Sequence, residues 1–564
     1  MNSEVRNMAP ERQSAHYKPN IWKHDFLQSL TSKYDEEEEY YRSRAEKLKE
    51  DVKHLFVEAV EVLAKLELID TIMKLGLSNL FEDEIREALE TIASMENINI
   101  ENLCGAEEDL LYVTALYFRL LRQHGYEISQ DVFTGFMDEK GRFLLSTCKQ
   151  TKTKGVIELF EASHLVFEGE NILVEAKAFS TKTLKCCAPS STDQGSDLIT
   201  KTVSRALELS THWRVHWFNV KWNLNLYEKN RDMNKLLFEL SKLNFNMVQA
   251  TLQNDLREIS RWWRNLGLIE NLNFTRDRLV ESFMCAVGLV FQPNLSNFRK
   301  WLTKVVVFIL VIDDIYDNYG SLEELQDFTN AVDRWDSKGI DEHLPNCMKL
   351  CFQALYDTTN QIAYEIQNEK GWNQVLPDLK KVVRWGDFCK ALFVEAKWYN
   401  MGYTPTLQEY MSNAWISSSG TVLAVHSFFS IMNEPTEEMA RFLDKNQDLV
   451  YNSSIIIRLC NDLATSAAEL ERGDVASSIL CYMREANVSD DVARNHIKAM
   501  ISETWSKING QCFNRSPLLQ SFVNITTNFA RVAHSLYQYG DGFGVQDQDI
   551  KKTILSLLVE PMSM

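Results

Sequence analysis

The chain has 564 residues, 45% hydrophobic and 25% charged, and a formal net charge of −19. A single core stops growing at roughly 250–300 residues, so this length calls for about two or three domains. The acidic balance excludes nucleic acid and anionic membrane surfaces as main partners, but not a phosphorylated substrate held through cations or local arginines.

In chain order, the N-terminal stretch Met1–Gln13 lacks an apolar signal region, and its Glu4 and Glu11 speak against an organelle transit peptide, so a cytoplasmic protein is expected. The acidic run Asp35–Glu39 reads as a solvated face. Helical periodicity follows. Val62, Leu66, Ile69 and Met73 recur on one helix face, with Gly76 as a stop, and Phe81, Ile85, Leu89 and Ile92 repeat the pattern. With 21 Gly and 10 Pro, few turns are encoded, and neither alternating strands nor a fixed-period repeat occurs. The predicted fold class is all-α. Cys186–Asp197 reads as a loop, and Glu228–Asn234 as a charged connection that separates an N-terminal unit, 1–229, from a C-terminal unit, 230–564. A third loop is expected at Gly540–Gly544. The apolar run Val305–Ile312 is far shorter than the ~20 residues of a membrane helix, so no membrane span is expected. The 11 cysteines include no CxxC pair, which suits reduced thiols packed as small hydrophobes.

Three polar constellations carry the chemistry. In VVVFILVIDDIYD an apolar helix ends in Asp313, Asp314 and Asp317, with Asp313 and Asp317 on one face. Carboxylates crowded at a helix C-terminus repel one another and face the negative end of the helix dipole. A divalent cation removes both penalties, and magnesium prefers oxygen ligands and bridges to phosphates. In NDLATSAAE, Asn461, Thr465 and Glu469 fall at i, i+4 and i+8, spanning about 12 Å of helix axis. An amide, a hydroxyl and a carboxylate form a second all-oxygen cation site, and Arg458 one turn earlier follows the apolar run SSIII, where it wants an anionic partner. Arg276 and Arg278 flank Asp277 on one short segment, where two guanidiniums can grip a diphosphate. No nucleophile–base pair and no Gly-rich phosphate loop accompanies them.

These motifs resemble those of plant class I terpene synthases, and the likeness runs over essentially the whole chain: DDIYD, NDLATSAAE, RDR, RQSAHYKPNIW (Arg12–Trp22), RWWRNLGL, ERGDVASSILCYM and GDGFG occur in order. The resemblance implies an N-terminal helical barrel without catalytic residues and a C-terminal helical bundle that ionises a prenyl diphosphate. It implies Asp313, Asp314, Asp317, Asn461, Thr465 and Glu469 as ligands of magnesium or manganese, three ions in all. Arg276, Arg458, Asp313, Asp317 and Asn461 would serve the diphosphate, with Asp313, Asp317, Arg276 and Arg458 as catalytic residues. The chain departs from the pattern at Gln13, in place of the second tandem arginine, at Cys285, where many cyclases have Trp, and at Phe543, where some have Tyr. Ser477 stands where many members have a diphosphate-binding Lys, which suggests a compensating potassium ion near Asp474, Ser477 and Ser478.

Segments such as QHGYEISQDVF, LFEASHL and ISSSGTVLAVHSFFSI are most similar to the α-farnesene-forming branch of the angiosperm monoterpene-type clade. That implies farnesyl diphosphate as substrate, an acyclic product and a monomer. Val306 and Ile457, in place of the Phe residues of isoprene synthases, argue against a five-carbon substrate. The departing diphosphate is a reasonable base, with Tyr539 or Asp541 as possible helpers. Three other readings stay open: an acyclic monoterpene synthase using geranyl diphosphate, a prenyltransferase, which would want a second aspartate-rich cluster, and a scaffold with damaged ligands.

Overall fold

The computed structural model describes residues 17–95, 110–143, 153–187, 198–272, 274–336, 343–371, 384–432, 442, 445–512 except 473–475, and 517–564 except 545 and 547; the side chains of 187, 468–472 and 517–519 lie outside the description. Among the described residues the chain is helical, and its strand pairing is one antiparallel bridge between Met137 and Phe143. The N-terminal half contributes α1 (Glu38–Glu58), α2 (Val62–Lys74), α3 (Leu110–Gln123), α4 (Thr153–Ser163) and α5 (His216–Tyr227). The C-terminal half contributes α6 (Lys235–Leu266), α7 (Leu279–Leu289), α8 (Ser296–Asp314), α9 (Trp385–Met401), α10 (Leu407–Ser417), α11 (Gly420–Ile431), α12 (Gln447–Arg472), α13 (Ser478–Ala486), α14 (Asp490–Gln511) and α15 (Pro517–Tyr537).

The predicted periodicity becomes buried surface. Leu66 and Ile69 of α2 and Leu89 and Ile92 of the next long helix are fully buried. Gly76 ends that first turn sequence with φ +76°, and a Cβ there would lie 2.7 Å from Val220, so both conformation and space demand glycine. Glu228–Asn234 does separate two helices. Asn234 caps α6 by accepting from the amides of Leu236 and Leu237 at 2.9 and 3.2 Å. The loop expected from Cys186 begins later, because the helix Asn171–Cys187 continues through both cysteines; 188–197 lie outside the described residues.

The two halves share one core. It runs from Trp22, Leu30 and Tyr34 through Leu66, Trp217 and Phe245 to Phe308, Phe352 and Phe522. A second cluster around Trp398, Tyr410 and Trp505 lies within the C-terminal half, and a third around Phe118 and Phe133 within the N-terminal half. At the seam, Trp213 stacks on Trp505 and on His534 with centroids 5.6 and 5.1 Å apart, and the Asn509 amide donates to the carbonyls of His164 and Val166 at 2.9 and 3.0 Å.

An extended strap, residues 17–23, crosses to the start of α7. Its Trp22 indole donates to Glu281 at 3.0 Å, and its Asn20 amide donates to Asp277 at 3.0 Å. Arg278 binds the Phe543 carbonyl at 2.7 Å, so the strap and the loop after α15 meet at one point. Among the described residues no helix is long and apolar enough to cross a membrane.

Candidate active site

One cavity joins the predicted motifs. Its empty volume, counted to the open mouth, is about 860 Å³, and Arg276, Asp313, Arg458, Asn461, Tyr537 and Asp541 line it together with apolar residues of α7, α8, α12 and α15. The lining has a direction. Along α8 it passes from Val306 through Ile309 and Leu310 to Asp313; along α12 from Ile457 to Asn461; along α15 from Phe529 and Val532 to Tyr537. Seven helical residues rise about 10 Å. The cavity therefore has a polar end, at the C-termini of α8 and α15 and the middle of α12, and an apolar end deeper in the bundle.

α8 ends at Asp314 and continues as a π-helical turn, Ile315–Tyr319, closed by the Gly320 amide on the Ile315 carbonyl at 2.9 Å. Such turns concentrate at functional sites. Asp313 lines the cavity with its side chain 30% exposed, and Asp317 also keeps exposed surface. Asp317 is solvent-exposed, yet the protein atoms crowded around it, followed by the Asp313 charge, raise its pKa well above the carboxylate range.

Asp314 is placed differently from Asp313 and Asp317. It has no exposed surface, and its oxygens accept from the Arg276 amide at 2.8 Å, Arg276 Nε at 3.0 Å and the Tyr17 hydroxyl at 2.8 Å. An α-helical step rotates Asp314 about 100° away from Asp313, which turns it into the protein. Arg276 also bonds Asp313. Burial opposes the Arg276 charge, but Asp314, Tyr17 and Asp313 outweigh it and hold that pKa well above the ordinary value.

On α12, Asn461 faces the cavity, and the Thr465 hydroxyl donates to the Asn461 carbonyl at 2.9 Å. The backbone of Glu469 continues this helix, while its side chain is outside the described residues. Asp462, the next residue after Asn461, is fully buried and anchors neighbours instead: it accepts from Tyr410 at 3.0 Å and from the Ser478 amide at 2.8 Å. Ser477 caps α13 by accepting from the Leu480 amide. Asp474, like Gln13, is outside the described residues.

Arg458 has the anionic partner its burial requires. Its guanidinium lies 3.8 Å from Glu395 of α9 and donates to the Ser417 hydroxyl at 2.9 Å. Burial opposes the Arg458 charge, and Tyr410, Glu395, Asp462 and Asp313 hold it in place. Burial raises the Glu395 pKa against the pull of Arg458 and Ser417. Glu395 was missed in the sequence. Its signal was a single acid inside the apolar stretch LFVEA of α9.

Tyr537 was missed too; it lines the cavity beside Asp541, and burial raises its pKa. Two residues are placed differently from the expectation. Arg278 does not join Arg276 in the cavity but binds the carbonyls of Phe543 and Asp277, because it projects toward the strap and the late loop. Tyr539 is 76% exposed and bonds Glu208, outside the cavity, while Asp541 does line it. Among the described residues no group of three His, Cys, Asp or Glu is placed to hold a metal ion. Cys285, Phe543, Val306 and Ile457 all line the cavity, and burial pushes the Cys285 thiol up to about 12, which makes it a wall and not a nucleophile.

Known proteins share this architecture. Residues 21–207 match the terpene synthase N-terminal domain, and residues 264–507 match the metal binding domain of the terpene synthase family. An α-farnesene synthase of Ricinus communis is 60% identical over 565 aligned residues, covering 100% of this chain and 98% of the relative. The chain belongs to the terpene synthase family. An (E,E)-α-farnesene synthase of Malus domestica is 58% identical, covering 99% of this chain and 96% of that one. Isoprene synthase from grey poplar (Populus x canescens), solved with three Mg2+ ions and dimethylallyl-S-thiolodiphosphate, superposes with a TM-score of 0.85 at 42% identity, covering 96% of this terpene synthase and 99% of the poplar chain. The terpene synthase is thus a lyase of prenyl diphosphates that carries its family's metal-binding domain, with a helical N-terminal domain before it.

Proposed function

We propose that this terpene synthase converts farnesyl diphosphate to acyclic (E,E)-α-farnesene and diphosphate. The observation that carries the reading is the single cavity with an oxygen-donor and guanidinium end and a long apolar end. The two α-farnesene synthases at 60% and 58% identity support the same substrate and product.

The residues at the polar end fit divalent cations. Asp313, Asp317, Asn461, Thr465 and Glu469 supply oxygen donors alone, the donor set of magnesium or manganese. Asp313, Asp314, Asp317 and Glu395 outnumber Arg276 and Arg458, a surplus of negative charge that bound cations would balance. The three Mg2+ ions of the poplar enzyme suggest the same number here. When bound, the ions would supply Lewis-acid neutralisation of the leaving diphosphate. Asp314 supports this site by orienting Arg276.

The chain's own residues account for the rest. Arg276 and Arg458 hold the diphosphate and stabilise its growing charge as the C–O bond breaks and the bonding pair leaves with oxygen. Apolar walls, with Phe529 and Phe543 among them, exclude water from the allylic cation. One proton is then lost from a carbon beside the cation to the departing diphosphate, with Asp541 as a neighbouring acceptor. The small Cys285 leaves an extended chain room, which favours deprotonation over ring closure.

The domain division at 229/230, a cytoplasmic monomer, and a potassium ion near Asp474, Ser477 and Ser478 belong to this proposal. Ser477 and Ser478, buried at the start of α13, support the last point, and product formation in potassium-free buffer tests it: an unchanged rate removes the potassium site. Incubation with farnesyl and with geranyl diphosphate in magnesium buffer, read by gas chromatography, tests the whole. The expected result is one dominant acyclic fifteen-carbon tetraene and at least tenfold higher kcat/KM for farnesyl diphosphate. Preference for geranyl diphosphate, or mainly cyclic products, contradicts it.

A further inference from the structure

We infer that Tyr17, on the N-terminal strap, is a positioning residue of the metal and diphosphate site, acting through Asp314 and Arg276. The inference rests on the proposed function. Its observation is a contact across the chain: the Tyr17 hydroxyl donates to Asp314 Oδ1 at 2.8 Å, and the Asn318 amide donates to that hydroxyl at 3.2 Å. The Arg276 guanidinium lies over the Tyr17 ring, 5.3 Å from its centre. Tyr17 therefore touches both members of the pair that closes the polar end of the cavity.

Arg276 has two demands on it. It bonds Asp313 and both oxygens of Asp314, and it also lines the cavity where a diphosphate would sit. To grip a diphosphate, its side chain must loosen its hold on these carboxylates. Asp314, without exposed surface, would then lose a charged donor in a place water does not reach. An unpaired buried carboxylate is strongly disfavoured. The donors that remain are the Arg276 amide, the Tyr17 hydroxyl and Asn318, which lies 3.4 Å away. The hydroxyl therefore keeps Asp314 satisfied while Arg276 turns to the diphosphate. Without it, Arg276 stays bound to Asp314 and the diphosphate loses a guanidinium partner.

The strap itself has other anchors, so this role is separable from its docking. Asn20 binds Asp277, the Ile21 amide binds Gln546 at 3.0 Å, and Trp22 binds Glu281. Removing the hydroxyl alone leaves these in place.

The test compares full-length wild type with Tyr17→Phe and Tyr17→Ala. Calorimetry with inorganic diphosphate in magnesium buffer gives the affinity, steady-state kinetics give kcat and KM, and amide exchange reports residues 18–22. Tyr17→Phe is expected to bind diphosphate five- to tenfold more weakly and to lose kcat by a similar factor, with exchange of residues 18–22 and the melting temperature unchanged. Tyr17→Ala, which also loses the ring beneath Arg276, is expected to lose more of both. Equal diphosphate affinity in Tyr17→Phe and wild type overturns the role of Tyr17 alone. Weaker binding accompanied by faster exchange through residues 18–22 also overturns it, since the residue would then only dock the strap. Failure of wild type to bind diphosphate with magnesium overturns the proposed function and this inference with it.

Discussion

The N-terminal half and the catalytic cavity bury charges in opposite ways. Between α2, α3 and α4, Arg119 bridges Asp70 and Glu158, and Lys74 completes the pairing of Asp70 at 2.6 Å. Arg122 is matched with Glu170. Burial opposes the Asp70 charge, but Lys74 and Arg119 bring its pKa to about 2. The nearby Glu161, hydrogen-bonded by Thr211 but without a close ion pair, is pushed by burial to about 7 against the pull of Thr211 and the Arg119 charge, so a weakly matched acid there tends to neutralise. At the polar end of the cavity, Asp313 and the acids behind it, Asp314, Asp317 and Glu395, crowd around Arg276 and Arg458, and burial and mutual repulsion raise Asp317 and Glu395. A balanced buried network holds a fold together; an acidic surplus around an open cavity is a place for cations.

Breaking each region should give opposite readouts. The largest effect is expected from Asp313→Ala: kcat for prenyl diphosphate falls by roughly a thousandfold or more, because metal and charge compensation are lost together. Its circular dichroism and melting temperature should match wild type, since one repelling carboxylate has gone.

Arg119→Ala should do the reverse. Two buried carboxylates lose their guanidinium, and unfolding free energy measured by denaturant titration should fall by about 3–5 kcal/mol. Activity per folded molecule should stay within about twofold.

The smallest effect is expected at the seam. Burial depresses His164, His212 and His534, the last two to about 3, with Lys177, Arg531 and Arg214 as the cations facing them. Unfolded imidazoles take up protons below about 6.5, whereas the folded seam refuses them down to about 3. The unfolded state thus binds more protons in that window, and stability falls as pH falls. Lowering the pH from 6.5 to 5.5 should reduce the melting temperature by roughly 2–4 °C in scanning calorimetry. Asn substitution at His212 and His534 should shrink that difference.

Much of this was legible in the sequence. Helices and their stops follow from apolar spacing and Gly76, and the break at 228–234 follows from lost periodicity, because these are local features of the chain. Asp313, Arg458 and Asn461, singled out in the sequence, line one cavity, since their motifs compress its polar end into a few consecutive positions. What could not be read depends on contacts across long separations. Tyr17 meets Asp314 from nearly 300 residues away, Glu395 meets Arg458 from another helix, and Arg278 turns to the late loop rather than to the cavity. The burial of Asp314 follows from the helix step, but the donors that make burial tolerable come from elsewhere in the chain.

The acidic surplus is to be answered by cations that bridge to diphosphate. Anomalous scattering from crystals soaked with manganese and inorganic diphosphate measures this directly. The predicted result is manganese peaks lining the cavity between Asp313 and Asp317 on one side and Asn461 and Thr465 on the other, with diphosphate density between them and Arg458. Manganese bound only elsewhere, or diphosphate held by the arginines with no metal beside Asp313, would contradict it.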